Sequence, residues 1–383
     1  MQKTLLTIAV MALLLSGCAT VSKPRRAERK NTQVVMAYFM GGDVPQNMPA
    51  ELLTHVCYAF ANVHEDGSVR LERSRDAANL AKLTALKQRN PQLRILLSVG
   101  GWDWSKYFSN AALTAQSRRL FCDTALALVS RHRLDGLDID WEYPGNRGGG
   151  NVFRPEDREN FTLLLRDLRA RMNTLPQGQR LQLTAATGAF KLYLVRTEPE
   201  KFSQYLDYVN IMTYDFCGFG EKFTGHHANL RRSPADKNGG HSAAGAVENH
   251  IAMGVPARKI VVGCAFFGKG WDSGVRAAGT PLFAPVDTKS SKAFSASYAK
   301  LAEGYINKNG YVRYWDEQAQ APYLWNAARR TFVSYEDEQS VAAKCRYARQ
   351  MGLAGAMFWE YHGDKENRLL RTMHSALMSG GRR

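Results

Sequence analysis

None of the cysteines in this chain stands in CxxC spacing with another, which argues against a zinc site. Besides Cys18 there are Cys57, Cys122, Cys217, Cys264 and Cys345, read here as small buried residues rather than a disulfide framework. No glycine-rich phosphate fingerprint follows the first strand-like run, which argues against an open dinucleotide-binding sheet. No basic stripe is interleaved with aromatics, so the net charge of +16 does not read as nucleic-acid binding. The excess is dispersed, as in Arg118-Arg119 and Arg329-Arg330, and suits a surface facing anionic lipid or polysaccharide. Beyond the N-terminus, no stretch is apolar enough to span a bilayer.

What is present begins with an address. Lys3 and the apolar run Leu5 to Leu15 have the length of a secretory signal, and Leu15-Ser16-Gly17-Cys18 resembles a bacterial lipobox. The expected organisation is a signal peptide over residues 1–17 and a basic tether over 18–32, with Cys18 lipidated. Ala19 after that cysteine points to the outer membrane of a bacterial envelope. The remaining 33–380 forms one catalytic domain.

Eight short apolar runs alternate with helical segments from residue 33 onwards: Gln33–Phe39, His55–Val63, Leu93–Val99, Leu134–Trp141, Leu181–Thr187, Tyr208–Tyr214, Lys259–Phe267 and Leu353–Trp359. Most are continuously apolar, as in strands covered on both faces. Helical spacing appears in Leu113–His132, Glu156–Met172, Ala243–Met253 and Glu338–Met351. The fold class predicted is α/β, a (β/α)₈ TIM barrel. A small α+β insertion over 272–335 separates strands seven and eight.

The fourth run carries the chemistry. In Asp135-Gly136-Leu137-Asp138-Ile139-Asp140-Trp141-Glu142, a strand puts Leu137, Ile139 and Trp141 on one face and Asp138, Asp140 and Glu142 on the other. Burying carboxylates side by side is costly unless they share protons or hydrogen bonds. A raised-pKa proton donor backed by a charged partner needs this pattern. The flanking apolar residues argue against a solvated acidic loop, the glycine offset against an EF-hand loop, and the absence of clustered His or Asn against a metal site. Aromatics stand at other strand ends: Tyr38, Phe60, Trp102, Tyr214 and Trp359. Such rings grip the apolar faces of sugars.

These residues resemble glycoside hydrolase family 18, the chitinase family. Asp135 to Glu142 fits its DGxDxDxE signature, Ser98-Val99-Gly100-Gly101 its SxGG motif and Met212-Thr213-Tyr214-Asp215 its MxYD motif. Leu53–Ala61, Leu183–Gly188, Gly254–Trp271 and Trp315–Gln320 also resemble it, and the similarity runs from about residue 33 to 375. The resemblance implies a retaining chitinase acting on β-1,4-linked N-acetylglucosamine, with Glu142 as general acid/base and the substrate's acetamido oxygen as nucleophile. Asp140 would hold the acetamido NH, Asp138 would share a proton with Asp140, and Tyr214 would orient the acetamido oxygen. Trp359 would floor the scissile sugar, and Trp102 would wall the leaving side. Tyr38, Phe60, Gly101, Tyr143, Met212, Asp215 and Lys269 complete the expected substrate contacts. No metal or other cofactor is implied. Partners are chitin or chitooligosaccharides and, through the lipid, a membrane, with no nucleic acid; the protein is expected to be a monomer.

The insertion resembles the rim domain of deep-cleft members. Phe267-Gly268-Lys269 replaces a common Tyr-Gly-Arg, and Phe216 to Gly220 lacks a tryptophan that some members carry. Without a carbohydrate-binding module, soluble oligosaccharides are the expected preference over crystalline chitin. Alternatives are a chitinase-like lectin, or a glycosidase of the N-glycan chitobiose core or of peptidoglycan.

Overall fold

The structure, a computed structural model, describes residues 33–379. The signal, the tether and Cys18 lie outside the described residues.

Eight parallel strands close into a barrel: β1 (Val34–Met40), β2 (His55–Val63), β4 (Arg94–Gly100), β5 (Gly136–Asp140), β6 (Gln182–Gly188), β7 (Tyr208–Met212), β8 (Ile260–Ala265) and β14 (Gly355–Trp359). The two-residue β3 (Val69–Arg70) folds back on β2. Closure is made by β1, which pairs with β2 on one side and β14 on the other. All eight runs read from the sequence are strands. The fourth is shorter than the run, because the chain leaves the sheet after Asp140 and turns through Trp141 and Glu142.

Side-chain alternation sorts the strands' residues into two compartments. Outward residues such as Leu137, Ile139 and Trp141 join the main core beneath the helices. Trp141 stacks on Phe108 at 5.2 Å between centroids and meets Phe161 edge-on at 5.9 Å. The helix Ala115–Arg131 begins at a capping box, with Thr114 accepting from Ser117 N. Inward residues form layers, as in other barrels of this type. Val34, Met36, Tyr38, Cys57, Leu96, Val261 and Met357 form a separate apolar cluster, and Tyr38 hydrogen-bonds the buried Asp138. Cys57, Cys122, Cys217, Cys264 and Cys345 are free and buried, and burial pushes their thiols up.

Between β8 and β14 the chain builds a five-stranded antiparallel sheet, ordered β10-β9-β13-β12-β11. Its strands are β9 (Phe267–Asp272), β10 (Lys292–Ser297), β11 (Val312–Asp316), β12 (Ala321–Asn326) and β13 (Thr331–Ser334), with one helix, Tyr298–Gly304. The sheet thus starts at Phe267, ahead of the residue 272 expected. One residue, Phe266, separates β8 from β9, so the seventh apolar run covers both a barrel strand and the start of this sheet. Leu301, Leu324 and Val333 share the main core with the barrel, while Trp271, Val275 and Phe332 form a smaller cluster of their own.

Candidate active site

The barrel's C-terminal mouth holds a cavity of about 930 Å³. Glu142, Asp140, Tyr214, Asp215, Met212, Tyr143, Tyr38, Phe60, Trp102 and Trp359 all line it. Asp138 does not; it is fully buried one layer below. Two further expected contacts stand elsewhere. Gly101 sits behind the wall, where a Cβ would meet the Phe60 ring at 2.5 Å, and its N–H donates to Asp140 O at 2.8 Å. Its backbone φ of +78° also favours glycine. Lys269 is taken up by an ion pair with Asp215 at 2.6 Å instead of lining the cavity.

The three acids experience different surroundings although Asp138 and Asp140 share one strand face and Glu142 follows just beyond the strand's end. Asp138 accepts four hydrogen bonds: from Tyr38 Oη at 3.0 Å and Ser98 Oγ at 2.7 Å on Oδ2, and from Thr184 Oγ1 at 2.5 Å and Asn210 Nδ2 at 3.1 Å on Oδ1. Burial raises its pKa, and these four donors pull it back. Asp140 is also buried, but its Oδ1 has no donor among the described residues. Burial first, then the negative charges of Glu142 and Asp138, push it well above the ordinary range. Glu142 is raised to about 7, chiefly by burial. A hydrogen bond with the Tyr143 side chain opposes this, while Asp215 and Asp103 add to it. Ser105 fixes the turn that presents Glu142: its Oγ donates to Asp140 O at 3.1 Å and accepts from Glu142 N at 2.9 Å.

The aromatic frame is continuous. Trp359 stacks on Phe60 at 5.6 Å and tilts against Tyr38 at 5.9 Å. Tyr214 is partly buried, and desolvation followed by the charge of Asp140 pushes its phenol up, so it stays a hydrogen-bond donor. Asp215 adopts a left-handed backbone with φ of +61°. Burial acts to raise its carboxyl, but His227 and Lys269 outweigh that and hold it below the usual range. Trp102 is 53% exposed at the rim, the signature of a platform rather than a core residue. The peptide bonds Ala59–Phe60, Glu142–Tyr143 and Trp359–Glu360, at three of these strand ends, are cis.

Several lining residues were not found from sequence. Arg73 lies 4.7 Å over the Trp104 ring, and both face the cavity with Asp103, Phe190, His241 and Glu360. Trp104 could have been suspected from its place beside Trp102. Arg73 and His241 come from loops with no pattern to mark them. Thr184 and Asn210, partners of Asp138, carry a weak signal: each is a polar residue in the buried middle of a barrel strand.

An acid poised near neutrality, a second acid beside it with an unpartnered oxygen, a phenol donor and an aromatic floor form a site for acid–base chemistry on a ringed, polar substrate. The family described as glycosyl hydrolases family 18 matches residues 30–364. The chain belongs to that family. It is 42% identical over 319 residues to chitinase A1 of Niallia circulans, covering 80% of this chain but only 45% of that protein. Mouse chitotriosidase-1 is 34% identical over 333 residues, with 82% and 68% covered. Among solved structures, a family 18 N-acetylglucosaminidase from Paenibacillus barengoltzii superposes with a TM-score of 0.83 at 39% identity, over 90% of this chain and 100% of that one. The allosamidin complex of Ostrinia furnacalis group IV chitinase gives 0.80 at 27% identity, over 91% and 99%.

Proposed function

We propose that this protein is a retaining chitinase that cleaves β-1,4-linked N-acetylglucosamine with the substrate's acetamido group as nucleophile. The observation that carries the reading is the setting of Asp140. Its donor-free Oδ1 stands between an Asp138 bonded on both oxygens and a Glu142 facing the cavity. An acid so placed can turn toward a substrate N–H without stripping a partner from itself.

In the first step Glu142 gives its proton to the glycosidic oxygen as the C1–O bond breaks. The acetamido oxygen closes on C1, giving an oxazolinium ion. Asp140 accepts from the acetamido N–H, and the Tyr214 hydroxyl donates to the acetamido oxygen. In the second step Glu142, now a carboxylate, takes a proton from water as that water attacks C1 and opens the ring. Two displacements at C1 retain its configuration. Trp359 and Phe60 floor the reacting sugar, and Trp102 carries the leaving side. Names of relatives support the substrate class, since chitinases predominate among them.

A second reading rests on the Paenibacillus barengoltzii enzyme, which this chain covers along its whole length and which is an N-acetylglucosaminidase. It predicts single sugars as products rather than chitobiose. The deciding experiment is digestion of chitin oligomers of two to six sugars, a high-mannose glycopeptide and peptidoglycan fragments, with products read by mass. Chitobiose supports the first reading and N-acetylglucosamine alone the second. Cleavage only of the glycopeptide or peptidoglycan changes the substrate. Binding without cleavage makes the protein a lectin, like the agglutinin of Robinia pseudoacacia that shares this fold.

The lipobox-like Leu15 to Cys18 supports a further part of this proposal, attachment to a bacterial envelope membrane through a lipid on Cys18. Cys18→Ala is expected to leave it in the soluble fraction; a variant that still pellets with membranes overturns the anchor.

A further inference from the structure

One charged pair in the barrel wall is fully buried and has no place in the chemistry above. Lys344 and Glu336 are both 0% exposed in their side chains, with Nζ 2.7 Å from Oε1. Lys344 lies on the helix Glu338–Gln350, which Asp337 caps through a capping box with Ser340. A buried ion pair is a poor source of stability, because desolvation offsets most of the attraction. What this pair touches gives it a different use.

The ladder between β7 and β8 ends at Ile211 and Val262. Beyond it the chain makes two tight turns, with Thr213 N bonded to Ile211 O at 2.8 Å and Tyr214 N to Met212 O at 2.8 Å. The carbonyls this leaves without sheet partners are gathered by one ammonium: Lys344 Nζ donates to Gly263 O at 3.0 Å and to Thr213 O at 3.2 Å. Thr213 Oγ1 donates to the same Gly263 O at 2.6 Å. Glu336 Oε1 accepts from Ala265 N at 2.8 Å, tying the end of β8 into the cluster. The Tyr214 ring rests on Gly263, where a Cβ would come within 2.9 Å of Cε1. A cation thus pins the peptide immediately before Tyr214 to the strand that its ring lies on.

We propose that Lys344, held by Glu336, is a positioning residue that sets the Tyr214 hydroxyl for the acetamido oxygen. The proposal rests on the role given to Tyr214 above. Lys344 touches no substrate; it acts through the Thr213 and Gly263 carbonyls. A three-acceptor ammonium is suited to this because one point charge gathers a carbonyl of β8, a carbonyl from the turn after β7 and a carboxylate from a third segment.

The test is a double-mutant cycle between Lys344→Met and Tyr214→Phe, in the full-length protein, read as kcat and KM on a chitin oligomer. Tyr214→Phe alone is expected to lower kcat by about 10-fold or more, and Lys344→Met alone by a similar factor with KM changed less than 3-fold. If Lys344 works through the Tyr214 hydroxyl, the double variant is little worse than Lys344→Met. Multiplicative losses overturn the proposal, since a general loosening of the fold would not spare the Tyr214 substitution. If Lys344→Met does not fold, Glu336→Gln replaces it in the cycle, removing the charge that holds Lys344 Nζ with almost no change of volume; the same comparison decides. A Tyr214→Phe variant with wild-type kcat fails the reading of Tyr214 itself and this proposal with it. Multiplicative losses leave that reading standing and remove only Lys344.

Discussion

Asp138 and Asp140 point into the same barrel two residues apart, yet Asp138 accepts four hydrogen bonds and Asp140 Oδ1 none. The asymmetry decides where the proton of the pair resides. Every hydrogen bond to Asp138 comes from a hydroxyl or an amide N–H, and all of them favour its carboxylate. Asp140 has burial and two neighbouring charges pushing it up. Both effects raise Asp140 further than Asp138. On the mechanism proposed above, a proton shared by the pair rests on Asp140 until an acetamido N–H, which favours the ionised form of Asp140, moves it to Asp138.

Replacing Asp138 separates its two uses. Asp138→Ala leaves Tyr38 Oη, Ser98 Oγ and Thr184 Oγ1 without their acceptor in the barrel interior, and Asn210 Nδ2 with Tyr38 Oη alone. The expected cost is at least about 3 kcal/mol, from several buried donors left unsatisfied. Asp138→Asn keeps one acceptor oxygen and faces its NH₂ to hydroxyls that can turn and accept, so it should cost much less. Both variants lose the negative charge and should lose activity. Urea unfolding of the two, beside their kcat, checks this; equal stability would show that the four donors are not held by Asp138.

Glu142→Gln is expected to bind chitin oligomers as the wild type does and to lower turnover by at least about 10²-fold, the usual share of a general acid. Isothermal titration with an oligomer and a rate assay on the same sample suffice. Near-normal turnover would remove Glu142 from its role.

The raised pKa gives the reaction a basic limb. Glu142 must carry its proton to start, so kcat/KM should hold below about 7 and fall above it. The neighbours make this limb movable. The Tyr143 hydrogen bond lowers the pKa, so Tyr143→Phe should shift the limb to higher pH. Asp103 raises it, so Asp103→Asn should shift the limb to lower pH. Two pH–rate profiles displaced in opposite directions are expected; displacement in one direction, or none, would assign the limb to another group.

The same group makes a prediction for stability, with its sign fixed by linkage. Glu142 has a folded pKa of about 7 against an ordinary 4.5, so the native state holds a proton that the unfolded chain has released. Its contribution is fully present below about 4.5 and is lost as pH rises through 7. Glu142→Gln cannot ionise. The variant should unfold at a higher temperature than wild type at pH 8 and at the same temperature near pH 4. A wild type at least as stable at pH 8 contradicts this.

The barrel was legible because its strands are covered on both faces and so read as uninterrupted apolar runs. The acids were legible for the opposite reason: carboxylates every second residue in such a run have no packing rationale. Where reading failed, the information was not local. Arg73 meets Trp104 only because the β2 and β4 loops converge. Lys269 was expected at the substrate, yet Asp215, distant in sequence, takes its charge. Gly101 was read as a contact, whereas its space belongs to the Phe60 ring. Phe267 ended one apolar run but begins the antiparallel sheet, since a run carries no mark of where pairing changes partner. Lys344 is a charge on a helix face that pattern alone would assign to solvent.

Trp102 tests how far the site extends beyond the acids. Its ring is more than half exposed, so its removal uncovers little core and should change stability by less than about 1 kcal/mol. What it offers is a flat apolar face at the cavity's rim, where a sugar on the leaving side can stack. The loss in Trp102→Ala should therefore depend on substrate length. For an oligomer long enough to reach it, KM should rise about 5- to 10-fold, the worth of one stacking contact of 1 to 1.5 kcal/mol. For a two-sugar substrate with a small leaving group it should scarcely change. A loss that is the same for both lengths would place Trp102 in the support of Glu142 and not in the grip on the chain.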